Sequence, residues 1–318
     1  METKALEKKQ ATAEQALEIT GSEAVMKAMI AEGVETIFGY PGGAIMPIYD
    51  ALYDHRDQLE HILVRHEQGG IHAGQGYARS SGKTGVVFAT SGPGATNLVT
   101  GLADAMIDST PLVCITGQVF AHLLGTDAFQ ETDVINITTP VTKWNYQVTD
   151  ANEIPEILAK AFYIAETGRP GAVLIDIPKD VQTNEAEIPF PEEVRIRGYH
   201  PWTDPDVAAI EKAIKLLLSS SKPVILAGGG VIISAAFAEL QSLAEMLMIP
   251  VVSTFKGKGA FPETHPLSLG PIGMHGHAEA NKVMSEADCV LAIGTRFSDR
   301  SVGTFAEFEK NLKIIHLD

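Results

Sequence analysis

"ILVRHEQGGIHAGQGYARSSG", Ile62 to Gly82, is the stretch on which the fold turns. Ile62, Leu63 and Val64 read as the end of a buried strand, and the small residues of "QGGIHAGQGYA" read as a helix that packs closely. Glu67 stands between them. The strand-to-helix turn of an open α/β sheet is where ligands gather. A helix dipole favours an anion at that point, while burial disfavours one. That balance suits a carboxyl sharing a proton with a heterocycle nitrogen. The plain alternative is a first-turn residue bonding backbone N–H groups.

Outward from this stretch, strands and helices alternate. Thr20 and Glu23 make a capping-box pattern ahead of Val25, Met26, Met29 and Ile30 at helical spacing, and Gly33 ends that helix. "VETIFG", turn "YPGGA", a helix over 44–53 and strand "HILVRH" lead into Glu67. Strand "GVVFAT", turn "SGPGATN", helix "LVTGLADAMI" and strand "PLVCITG" follow. Residues 117–144 form a loose polar-aromatic loop, and loops of that length in compact domains carry function. Helix "NEIPEILAKAFYIAETG" and strand "GAVLIDIP" close the first unit. "PVILAG", "SAAFAELQSLAEML", "PVVST", a Gly/Pro-rich loop, "HAEANKVMSEA", "CVLAIG", "TRFSDRS" and "KIIHLD" repeat the alternation. The fold class expected is α/β, with two doubly wound, mostly parallel sheets. The domain boundaries expected are an extension over 1–19, a first domain over 20–182, a proline-rich linker over 183–204 and a second, incomplete domain over 205–318.

The chain has 318 residues, 45% hydrophobic and 20% charged, and a net charge of −16. That composition is globular, and the acidity argues against a nucleic-acid partner. Neither a signal peptide nor a run long enough to span a bilayer is visible, so a cytoplasmic protein without a membrane partner is expected. Cys114 and Cys289 lie in apolar runs and read as buried structural thiols.

The remaining motifs are ambiguous one by one. "SGPGATN" is either a structural turn or an anion cradle, and Asn97 replaces the third glycine of a dinucleotide fingerprint. "AGGGV" is either a tight turn or a close approach to a ligand. His66 with Glu67, and His275 with His277, lack the spacing of a closed zinc site, so no metal ligand is assigned.

Taken together, "FGYPGGAIMPIYDAL", "RHEQG", "GYARSSGKTGVVFATSGPGATN", "GTDAFQETD", "GRPGAVLIDIPKDV", "GMHG" and "GTRFSDR" resemble the large catalytic subunit of acetolactate synthase, a thiamine-diphosphate-dependent enzyme. The resemblance implies a pyrimidine-binding first domain and an FAD-binding central domain. It implies that Glu67 bonds N1′ of the cofactor's aminopyrimidine, whose imino form takes the C2 proton of the thiazolium. The activated carbon then decarboxylates pyruvate and passes the two-carbon unit to pyruvate or 2-oxobutyrate, in branched-chain amino-acid biosynthesis. Gly42 and Gly43 would let backbone approach the thiazolium, flanked by Tyr40, Pro41 and Ala44. Asn97 would lie beside the pyrimidine, Gln130 near the reacting carbon, and Phe129 in the pocket wall. Lys179 would draw in the 2-oxo acid; without the resemblance it reads as a solvated loop lysine. Arg169, Gly228, Gly229, Met274, His275, His277, Gly294, Arg296, Ser298 and Arg300 would line a non-redox FAD, with Ser298 standing where many members carry aspartate. Magnesium and the diphosphate would be held by a C-terminal domain whose GDG motif does not occur in this sequence, so the chain is expected to be a fragment, inactive alone. A homodimer or homotetramer and a small regulatory subunit are the partners implied. The competing expectations are another thiamine-diphosphate enzyme acting on 2-oxo acids and a noncatalytic flavin-binding module.

Overall fold

The computed structural model of the chain describes residues 17–191, 194–201, 204–303 and 312–318. They fall into two compact units that divide between residues 202 and 203. Residues 1–16 of the expected extension lie outside the described residues.

In the first unit the elements are β1 (Leu17–Thr20), α1 (Gly21–Ala31), β2 (Thr36–Gly39), α2 (Met46–Asp54), β3 (Glu60–Leu63), α3 (Glu67–Ser81), β4 (Gly85–Ala89), α4 (Pro93–Thr96), α5 (Val99–Asp108), β5 (Leu112–Gln118), α6 (Val134–Thr138), β6 (Trp144–Gln147), α7 (Ile154–Glu166), β7 (Ala172–Pro178), α8 (Lys179–Thr183) and β8 (Glu185–Ile188). Six strands form a parallel sheet in the order β3-β2-β4-β5-β7-β6. Period-two alternation along β4 sends Val86 and Phe88 into a core with α1, α2 and α7, and Val87 and Ala89 into a second core with α3 and α5. Helices therefore cover both faces, as a parallel sheet requires.

The linker expected over 183–204 is in part a strand. β8 pairs antiparallel with β1, Leu17 opposite Ile188 and Thr20 opposite Glu185. Ile188 is buried in the α1–α7 core, which is why four residues of a charged, proline-rich segment are ordered this way. β3 is shorter than "HILVRH" suggests. It ends at Leu63, because His66 leaves the sheet to cap α3.

The second unit contains α9 (Val207–Leu218), β9 (Pro223–Ala227), α10 (Gly229–Ile233), α11 (Phe237–Leu247), β10 (Val251–Ser253), β11 (Ser268–Pro271), α12 (Ala278–Glu286), β12 (Cys289–Ile293), α13 (Asp299–Val302) and β13 (Lys313–Leu317). Its five strands are parallel, in the order β11-β10-β9-β12-β13. Leu217, Leu240 and Ala244 cover one face, and Ala280 and Met284 the other. Both cysteines are free and buried, and burial pushes the Cys114 thiol above its ordinary value. Among the described residues no helix is long and apolar enough to cross a membrane.

Candidate active site

In the first sheet the chain runs outward from β2 to β3, then returns past β2 to β4. The strand order reverses between β2 and β4, and ligands bind outside the carboxyl ends of strands at such a point. Here the reversal places the turns after β2, β3 and β4 beside one another.

The turn after β2 carries Tyr40 to Ala44. The Tyr40 N–H donates to the Phe88 carbonyl at 3.3 Å, and the Ala44 N–H donates to Thr90 Oγ1 at 3.2 Å. Gln182 Nε2 donates to the Ala44 carbonyl at 2.8 Å and anchors the turn from the side of α8. A Cβ on Gly42 would meet that of Thr90 at 2.6 Å, so the backbone lies directly on the residue that follows β4. Around Gly43 the opposite holds, and nothing stands within 4 Å of where its Cβ would be.

Glu67 opens α3. His66, in extended conformation, caps the helix by accepting the Gln68 N–H on Nδ1 at 3.1 Å. Glu67 is 8% exposed, and Asn97 Nδ2 donates to its Oε2 at 2.9 Å. Oε1 takes no hydrogen bond from a described residue and lies 3.4 Å from the place of a Gly94 Cβ. A side chain at 94 would crowd that oxygen. Burial, and secondarily the Glu67 charge, push the Tyr49 phenol above its ordinary value. Tyr49 Oη lies 3.3 Å from His61 Nε2. Thr90 and Tyr49 thus belong to the surroundings of the site, although no spacing in the sequence points to either.

The loop after β5 reaches the same place. Gly92 has φ +59, and a Cβ there would meet the Gln130 carbonyl at 2.6 Å. Gln130 itself is held at φ 58, a left-handed conformation that a non-glycine residue adopts at a cost of ~1 kcal/mol or more. Glu131 folds the loop by accepting backbone N–H groups from Gly125, Thr126 and Ala128, and these bonds, Gly125 first, hold its carboxyl below the usual range. Phe129, expected in the pocket wall, is 87% exposed. Lys179 begins α8 with Nζ 6.0 Å from the Phe120 ring, at the carboxyl end of β7.

The donor set fits the aminopyrimidine end of thiamine diphosphate. One oxygen of the Glu67 carboxyl takes no hydrogen bond from a described residue and is available to accept one, and the glycine backbone at Gly94 stands beside it. Among the described residues no group of three or more His, Cys, Asp and Glu side chains could hold a metal ion.

The second sheet also reverses, between β9 and β12. There Gly228 and Gly294 meet each other. A Cβ on Gly228 would lie 2.1 Å from the Gly294 carbonyl, and the Gly230 N–H donates to that carbonyl at 3.0 Å. The close approach in "AGGGV" is therefore to the neighbouring turn. A Cβ on Gly229 would meet Lys256 Cβ at 3.3 Å. The Met274 N–H donates to the Arg300 carbonyl at 3.3 Å, which brings the "GMHG" and "SDR" segments together. Met274, His275, His277, Arg296 and Arg300 are exposed, and Ser298 is half-buried. Arg169 belongs to the first unit, where its guanidinium donates to Ser109 Oγ and to the Met106 and Ile107 carbonyls. It caps the end of α5 there.

Residues 19–137 match the family described as thiamine pyrophosphate enzyme, N-terminal TPP binding domain, and residues 210–318 match the thiamine pyrophosphate enzyme central domain. The probable acetolactate synthase large subunit of Methanocaldococcus jannaschii is 56% identical over 301 residues, 94% of this chain and 51% of that protein. The acetolactate synthase of Mycobacterium bovis is 50% identical over 95% of this chain and 48% of its own length. The acetolactate synthase large subunit of Corynebacterium glutamicum is 50% identical over 94% of this chain and 48% of its own length. The chain spans about half the length of the curated relatives it matches. The chain thus belongs to the thiamine pyrophosphate enzymes, carrying their N-terminal binding domain and their central domain, and over almost all of its length it is similar to acetolactate synthase large subunits.

Proposed function

We propose that the protein of which these two units are part is an acetolactate synthase large subunit. It would decarboxylate pyruvate and transfer the two-carbon unit to pyruvate, giving 2-acetolactate, or to 2-oxobutyrate, giving 2-aceto-2-hydroxybutyrate, on the route to branched-chain amino acids. The observation that carries this reading is buried Glu67 at the reversal of the sheet, its Oε1 without a hydrogen bond from a described residue and 3.4 Å from the place of a Gly94 Cβ. Bound thiamine diphosphate supplies an acidic carbon and an electron sink. Glu67 would share a proton with N1′ of its aminopyrimidine, and Asn97 fixes the carboxyl for that task. The Tyr40–Ala44 backbone would seat the thiazolium side, Gln130 would stand at the reacting carbon, and the Lys179 charge would draw in a 2-oxo acid anion.

The diphosphate and magnesium we assign to a part of the protein other than these two units, a reading that fits relatives of twice the length. On that reading the chain has no activity by itself. For the second unit we propose a non-redox FAD, lined by Met274, His275, His277, Arg296, Ser298 and Arg300. Gly228, Gly229 and Gly294 would shape the turns beneath it. A homodimer or homotetramer in the cytoplasm, with a small regulatory subunit, completes the proposal. The test is the product. The complete protein, given pyruvate, magnesium and thiamine diphosphate, should yield 2-acetolactate. Acetaldehyde or acetyl phosphate as the main product would overturn the assignment.

A further inference from the structure

Asp176 lies on β7, between β5 and the edge strand β6 of the first sheet, and is fully buried. Its carboxyl is met by three side chains. Thr116 Oγ1 donates to Oδ1 at 2.6 Å, while Gln118 Nε2 at 3.1 Å and Gln147 Nε2 at 2.8 Å donate to Oδ2. The parallel register places Thr116 on β5 and Gln147 on β6 directly beside Asp176. A carboxylate at such a position costs free energy to bury, and three donors offset part of that cost.

Gln118 does more than solvate the acid. It is 1% exposed and is the last residue of β5. Its Oε1 accepts the Val119 N–H at 2.9 Å, and its Nε2 also donates to the Thr132 carbonyl at 3.0 Å. One amide thereby joins the first residue of the 119–132 loop to the last. Gln147, which donates to the same carboxyl oxygen, has no bond to the loop. Inside the loop, the Ala121 N–H donates to Asp180 Oδ1 at 2.9 Å, and Gln130 is held at φ 58 against Gly92.

We propose that Asp176 is a positioning residue. Its carboxyl aligns the Gln118 amide, and that amide clasps both ends of the 119–132 loop so that Gln130 is presented beside the "SGPGATN" turn. The clasp deepens the thiamine reading, because Gln130 matters only if the reacting carbon lies there. Its own existence is nevertheless testable without cofactor or substrate.

The experiment is amide hydrogen exchange of the loop in the 318-residue chain, compared with the amides of β4, β5 and β7. In the unsubstituted chain the loop should exchange more slowly than an unstructured peptide. Gln118→Leu should speed exchange across 119–132 by roughly tenfold or more, with the sheet unchanged, as the loss of buried hydrogen bonds predicts. Asp176→Ala removes the acceptor that holds the Gln118 amide, and should loosen the loop in the same way. Gln147→Leu removes a bond to the same oxygen and should leave the loop within roughly threefold of its original rate. Equal loosening by Gln147→Leu and Gln118→Leu would overturn the clasp, as would no loosening by Gln118→Leu or a loop that is unprotected from the start. If Asp176→Ala does not fold, the glutamine pair still decides. The clasp stands even if the complete protein makes no acetolactate, and the acetolactate assignment stands even if the clasp fails.

Discussion

The two sheets reverse direction in the same manner, yet the crevices at the reversal points differ. In the first, side chains join the turns as well as backbone: Thr90 holds Ala44, Asn97 holds Glu67, and Gly43 faces open space. In the second, the Gly228–Gly230 and Gly294 turns touch backbone to backbone. The first unit buries Glu67, Asp176, Gln75, Gln118 and Gln182, whereas the buried polar residues described in the second are Thr254 and Thr295. Parallel topology by itself supplies a place for a ligand. Acid–base chemistry further requires a buried ionisable group with an unsatisfied atom, and only the first crevice has one among the described residues.

The comparison breaks most sharply at Glu67. In the complete protein, Glu67→Gln should slow deuterium exchange at the C2 carbon of bound thiamine diphosphate by on the order of 10²–10⁴, while thermal unfolding changes little. Unchanged exchange would remove the distinction between the two crevices. The next largest effect concerns glycines. Gly228→Ala forces a carbon to 2.1 Å from a backbone oxygen and should destabilise the second unit by about 3 kcal/mol, read by denaturant unfolding. Gly43→Ala should alter stability by less than about 0.5 kcal/mol but weaken thiamine diphosphate binding to the complete protein, read by titration.

Acid titration sharpens the contrast further. Burial pushes the Asp176 carboxyl up to about 6 from an ordinary value of 3.8, despite the hydrogen bonds from Thr116, Gln147 and Gln118. Between those values the folded state keeps a proton that the unfolded state has released. Stability from this group is therefore present in full below about pH 4, falls as pH rises toward 6, and is level above that. The full change is about 3 kcal/mol. In Asp176→Asn this contribution to the pH slope of first-unit unfolding should vanish, and the second unit should show no change. A further effect belongs to Thr90→Val, which deprives the Ala44 N–H of its acceptor and should cost about 1 kcal/mol in denaturant unfolding.

Much of this architecture is legible in the linear pattern. Alternating apolar runs announce most strands of both sheets, and the strand-to-helix turn announces the position of Glu67 in the candidate site. β8 is not legible, because its charged residues are exposed and only the small Ala186 and Ile188 pack on the core. β11 is short and interrupted by Gly270 and Pro271. The Asp176 network is invisible for another reason. "AVLIDIP" reads as one buried run, and the partners of its aspartate come from β5 and β6, distant in sequence and adjacent only through strand register. In the same way, the meeting of the Gly228 and Gly294 turns depends on two strands that are sequence-remote neighbours.

Pairing of β1 with β8 has one more consequence. Leu17 lies directly opposite Ile188, so the incoming and outgoing chain of the first unit are bound side by side. A unit tied off in this way can be lifted out of one polypeptide and set into another without stretching its flanks. It should also tolerate circular permutation, with a short bridge from 188 to 17 and new termini at the exposed Gly82–Lys83 turn.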